Sequence, residues 1–198
     1  MVKPSFQRFV RDSKKCDVFS TDELNRLFVP DNFSSETFFL FFLVCLSAGM
    51  RLGEIRAFRA QQYVPEYKSV IIDGFLSHDS KTRNAFNKTG TEENPRFRVS
   101  LIPDKTADLL EKYITDNNRT GEEYVFFSSG KPIRQEFAEA EFARAIKRAE
   151  IPVENKKFTP HSLRYTFVTR TRRLFDANSV MMCSFLNSLM TAATALFT

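Results

Sequence analysis

The stretch from Phe38 to Ala48, FFLFFLVCLSA, carries no charge and would be apolar on every side of a helix, so it must be buried wherever the chain folds. It stops at Gly49, a residue suited to the left-handed turn that ends a helix, and Arg51 follows almost at once. Ser34 and Ser35 offer N-caps in front of it. The run is too short to cross a bilayer, which takes about 20 apolar residues. It predicts a central buried helix. The chain holds 22 Phe and no Trp, and rings without a polar atom belong mostly in the core around that helix.

The other elements are expected around this one. Ser20 followed by Glu23 is a capping-box pattern, with Leu24, Leu27 and Phe28 at helical spacing behind it. A short helix spans roughly Leu52 to Phe58. Ser69-Val70-Ile71-Ile72 and the alternating Phe97-Arg98-Val99-Ser100-Leu101 read as strands, the second half-buried. Between them, Ser77 to Pro95 is long for a hairpin connection and holds another strand or a mobile loop. From Pro103 the chain is helical, with Ala107, Leu110, Tyr113 and Ile114 on one face and a stop at Asn117-Asn118 and Gly121. Val125-Phe126-Phe127 reads as a short buried strand or extended segment. Helices follow over 134–150, over His161 to Leu174 after a loop bracketed by Pro152 and Pro160, and again after Asn178. The order predicts an α+β fold: one mostly helical domain with a small antiparallel sheet at one side. Residues 1–18, carrying Lys3, Arg8, Arg11, Lys14 and Lys15, read as a basic arm or linker, and 19–198 as the domain.

Two local patterns point to chemistry. In Gly49-Met50-Arg51-Leu52-Gly53-Glu54 an arginine sits in the sharp turn between two helices, with Glu54 placed to brace it. A planar guanidinium on so rigid a mount is suited to gripping two oxygens of a phosphate. An ordinary surface arginine after a helix stop has the same local sequence. In Thr159-Pro160-His161-Ser162-Leu163-Arg164, His161 and Arg164 fall one turn apart on one helix face, where both can reach one phosphate; a chance pair at a helix start looks the same.

The formal net charge of +5 and a pI near 9.2 suit a polyanionic partner without demanding one. Cys16, Cys45 and Cys183 are scattered and form no C-x-x-C or Cys/His cluster, so neither a disulfide framework nor a zinc site is expected, and Cys45 belongs to the core. The polar, charged start shows no signal peptide. These features imply a cytoplasmic protein without cofactors.

The strings AGMRLGEIRAF and TPHSLRYTF resemble the two signature boxes of the tyrosine recombinases, the phage integrase family. VFSTDELNRLF is similar to the segment that opens their catalytic domain, and YKSVIIDGF, NKTGTEENPRFRVSLIPD and YVFFSSGKPI fall between the boxes in the family's order. The resemblance implies a domain that cleaves and rejoins double-stranded DNA through a phosphotyrosyl intermediate, acting as a homo-oligomer on DNA. Arg51 and Arg164 would clamp the scissile phosphate. Lys88, with Lys81 as the other candidate, resembles the hairpin lysine that protonates the leaving 5′ oxygen. His161 would assist proton transfer. Arg170, Arg172, Arg173 and Lys156-Lys157 read as DNA-backbone contacts or as solvated basic faces, and Tyr165 as packing.

The tail departs from the family. Leu186-Asn187-Ser188 aligns with the family's Leu-Gly-His box and Phe197 with its tyrosine, so Ser188 and Phe197 occupy two functional positions with other side chains. Phenylalanine has no hydroxyl, and the resemblance then implies a chain inactive as written. An engineered Tyr→Phe change, natural degeneration and a tail unrelated to the family box are the competing accounts; degeneration explains both departures and is favoured. The family's N-terminal DNA-clamping domain and C-terminal docking helix are not recognisable here, so the chain reads as a catalytic domain or fragment. The alternative reading is a non-catalytic DNA-binding or assembly module descended from a recombinase.

Overall fold

A computed structural model describes residues 17–77, 82–85, 93 and 97–174, with side chains described as far as Thr171. Helix α1 (Thr21–Leu27) starts with the expected capping box: the Ser20 hydroxyl accepts from the Glu23 amide at 3.1 Å, and the Glu23 carboxylate accepts from the Ser20 amide at 2.8 Å. Helix α2 (Glu36–Ser47) is capped by Ser35 and is the buried axis of the domain, with every residue from Leu40 to Ser47 buried. Phe41 meets Phe126 edge-on at 5.4 Å, and Phe42 meets Phe142 at 5.0 Å. These rings knit α2 to the second half of the chain, as the Phe-rich composition predicts. Phe97 and Phe137 are exceptions that stand exposed.

Helix α2 ends in a double-bonded glycine stop. The Met50 amide donates to the Cys45 carbonyl at 3.0 Å and the Gly49 amide to the Leu46 carbonyl at 3.2 Å, with Gly49 at φ +59°. The Phe167 ring lies against Gly49 on the side where a Cβ would point. Gly49 is therefore fixed twice, by its left-handed backbone and by the close approach of a helix from the end of the chain.

Helix α3 (Leu52–Arg56) follows immediately and leads into a three-stranded antiparallel sheet of β1 (Tyr63–Val64), β2 (Ser69–Ile72) and β5 (Arg98–Leu101), ordered β1-β2-β5. The stretch after Ser77 does contain another strand: β4 (Arg83–Asn84) pairs with β3 (Phe75–Leu76) as a separate antiparallel ribbon. Helices α4 (Asp104–Asp116), α5 (Gln135–Arg148) and α6 (Pro160–Leu174) complete the domain, and α4 and α6 pack on α2. Val125 and Phe126 are buried as expected, but strand pairing there is between β6 (Phe127–Ser128) and β7 (Lys131–Pro132). Their turn residues Ser129 and Gly130 both have positive φ, as a tight hairpin requires. The architecture is the expected α+β one. The helix expected after Asn178 and most of the basic arm lie outside the described residues.

In strand β5, Val99 and the preceding Phe97 face out, 55% and 70% exposed, while Ser100 is buried and Arg98 turns inward. The expected alternation is present, with the polar residues on the inward side, where Arg98 meets the buried Glu54.

Gly49→Ala should destabilise the fold by about 2–4 kcal/mol, combining left-handed strain with overpacking against Phe167. In equilibrium denaturant unfolding, a second change, Phe167→Leu, should recover the overpacking part and leave the backbone part.

Candidate active site

The site is built on the turn between α2 and α3. Arg51 is the residue before α3, in extended conformation, and Glu54 reaches back to it from the first turn. One Glu54 carboxylate oxygen accepts from the Arg51 amide at 2.7 Å and the other from the Arg51 guanidinium at 2.8 Å. The Glu54 side chain is wholly buried, whereas Arg51 remains 26% exposed. The brace proposed for Glu54 is thus present.

Two further arginines arrive from elsewhere in the chain. Arg98, the first residue of β5, grips both Glu54 oxygens, Nη1 to Oε1 at 3.0 Å and Nη2 to Oε2 at 2.8 Å, and donates to the Gly49 carbonyl at 3.2 Å. Arg164, 115 residues beyond Gly49, donates to the same carbonyl. The α6 packing that presses Phe167 against Gly49, with Leu163 fully buried beside it, delivers that guanidinium. Arg51 and Arg164 are therefore brought to one turn.

Electrostatics reflect the crowding. Burial depresses the Arg164 pKa, and the positive charges of Arg98 and Arg51 push it the same way, with Glu54 opposing. Arginine stays protonated regardless, so the repulsion is relieved best by an anion held between the guanidinium groups. For Glu54, burial alone would raise the carboxyl pKa; the hydrogen bonds and charge of Arg98, with those of Arg51, outweigh it and hold the group below the usual carboxylate range.

His161 lies one helical turn before Arg164, exposed at the start of α6, its ring edge-on to Tyr165 at 4.9 Å. Tyr165 does pack, though against this histidine and with 41% of its surface exposed. Lys88, Lys81, Ser188 and Phe197 lie outside the described residues. Burial pushes the Cys45 thiol up to about 12, consistent with an inert core residue. The Tyr63 hydroxyl is likewise raised to about 12, first by burial and then by Glu111 and Asp108. Arg98 was missed by sequence reasoning. It stands 44 residues from Glu54, and the burial of that glutamate, which demands more donors than Arg51 supplies, is visible only in the folded structure.

Residues 18–183 match the model of the phage integrase family. The chain belongs to the phage integrase family. Both boxes that carry the arginines lie inside that span, and Ser188 and Phe197 lie beyond it. No curated protein sequence matches the chain. Among solved structures it is similar to XerA recombinase (TM-score 0.60, 21% identity, 93% of this chain and 59% of that one). It is also similar to the Tn1549 transposon integrase in complex with a circular intermediate DNA (TM-score 0.64, 18% identity, 93% and 61%). The lambda integrase catalytic core aligns with a TM-score of 0.54 at 15% identity, over 80% of this chain and 88% of that one. The chain spans about three fifths of the length of the first two. At these identities the likeness is one of fold, a tyrosine-recombinase catalytic domain. Among the described residues no helix is long and apolar enough to cross a membrane.

Glu54→Gln should cost about 2–4 kcal/mol at neutral pH, because it removes the counter-charge from among the arginines. The Glu54 pKa is lowered on folding, so its stabilisation is present above the unfolded carboxylate value of about 4.3 and is lost as pH falls through the lower folded value. Urea unfolding from pH 7 to pH 3 should therefore show a shallower acid dependence for the variant.

Proposed function

We propose that residues 19–198 form the catalytic domain of a site-specific DNA recombinase or integrase, with residues 1–18 as a basic arm, and that Arg51 and Arg164 are its phosphate clamp. The observation that carries this reading is the meeting of two arginines, far apart in the chain, at the Gly49 turn. In strand cleavage a tyrosine hydroxyl attacks phosphorus, the bond to the 5′ oxygen breaks, and that oxygen leaves with a proton. Negative charge builds on the non-bridging oxygens, where fixed guanidinium donors lower the barrier. Residues outside the described part, Lys88 or Lys81, would supply the leaving-group proton, and His161 would assist from the start of α6. The phosphotyrosyl linkage keeps the bond energy for rejoining, and the chemistry needs no metal or nucleotide.

Phe197 at the tyrosine position makes the chain inactive as written, and Ser188 replaces a second proton-handling side chain. The same two residues favour the alternative of a DNA-binding or assembly module that has lost catalysis. In either case the partner is double-stranded DNA, held mainly through phosphates, and the protein assembles with further copies of itself on that DNA in the cytoplasm. Lys156 and Arg170 are partly engaged within the protein, by Glu23 and Thr21, and would contribute to the backbone contact only in part.

A suicide DNA substrate, offered to this chain and to its Phe197→Tyr variant, separates the two readings. Covalent adducts only with tyrosine are expected for a recombinase site lacking its nucleophile; none with either chain would favour the binding module. In the tyrosine background Arg164→Ala should slow adduct formation about 10²–10³-fold, with the thermal melt showing a retained fold. Duplex binding should weaken steeply between 50 and 200 mM salt, following counterion release on the order of one ion per phosphate contact.

A further inference from the structure

The Glu54 carboxylate has room for about four hydrogen bonds, and Arg98 supplies two of the four it receives: Oε1 takes Arg51 Nη1 and Arg98 Nη1, and Oε2 takes the Arg51 amide and Arg98 Nη2. Arg98 also touches the Gly49 carbonyl on which Arg164 rests. It is the described side chain that joins the mount of Arg51 to the mount of Arg164. Its own mount is stiff, because Arg98 pairs with Ile72 at the end of the β2–β5 ladder. Three of its five N–H donors are committed to Glu54 and Gly49, so its guanidinium is held first as part of the mount.

Without Arg98 two things change. Glu54 would keep half its donors and would draw the Arg51 guanidinium into a closer pair, turning it from the anion site. The positive surplus of three guanidinium groups over one carboxylate would also be halved. We propose that Arg98 is a positioning residue for the phosphate cradle, acting through Arg51 and Arg164; this rests on the phosphate-clamp reading given above. The planar fork is central to that role. A lysine at this position would restore the charge but could not bridge both carboxylate oxygens and the carbonyl from one rigid plane.

The test is a titration of the full chain with inorganic phosphate, followed through the guanidinium Nε–Hε NMR signals of Arg51 and Arg164. In the unsubstituted chain both signals are expected to move along one saturation curve. Arg98→Gln should raise the half-saturating concentration about tenfold, and Arg98→Lys should recover only part of that loss. Unchanged half-saturation in Arg98→Gln, with only lowered stability, would overturn the inference and leave the phosphate clamp standing. Full recovery by Arg98→Lys would also overturn it, since charge alone would then suffice. No response of Arg51 or Arg164 in the unsubstituted chain would remove the clamp itself, and this inference with it. Should Arg98→Gln fail to fold, Arg98→Lys decides alone: weaker phosphate binding supports the proposal, and binding equal to the unsubstituted chain refutes it.

Discussion

A buried carboxylate surrounded by arginines is the interaction on which the rest of the site depends. Glu54 is fully shielded from water, and a lone carboxylate in that position would be strongly disfavoured. It is tolerated because its acceptors are filled from two directions, by the turn that carries Arg51 and by the strand that carries Arg98. The same pairing fixes where the arginines sit. The guanidinium groups outnumber the carboxylate, so the arrangement remains positive overall and suited to an anion. Like charges of this kind are held together only by surrounding structure that prevents their separation.

That structure is mostly apolar. Helix α2 is buried along most of its length, and its aromatic contacts with Phe126 and Phe142 leave it little freedom to shift. Its last turn ends in a left-handed glycine, and the Phe167 ring closes over that glycine. Because α6 is seated there, Arg164 meets the Gly49 carbonyl. The backbone carbonyl thus serves as a common reference point for side chains from β5 and α6. A rigid mount of this sort is what electrostatic catalysis needs, since donors held in advance need no reorganisation when charge develops.

Much of this was legible in the chain. The charge-free run from Phe38 to Ala48 reads as a buried helix, and Gly49 as a residue suited to its stop. The capping box at Ser20 and the bracing role of Glu54 follow from spacings of three residues, which a single helical turn converts into contact. The family boxes could be read directly, and with them the pairing of Arg51 with Arg164. The face of β5 could not be read. Alternation specifies that neighbouring residues point to opposite sides, but which side is inward depends on what packs against the strand. There the polar residues lie on the inward side, and Arg98 went unnoticed.

The sequence by itself therefore determined the local elements and the chemical kinds of residue available, because caps, turns and periodicity act over a few residues. Only the tertiary structure decided that three arginines, from a turn, a strand and a distant helix, meet at one place, Arg51 and Arg98 on the Glu54 carboxylate and Arg98 and Arg164 on the Gly49 carbonyl. The physical reason is that this meeting is made by the packing of α6 and β5 against the end of α2, and contacts between segments so distant in the chain leave no periodic trace in any one of them.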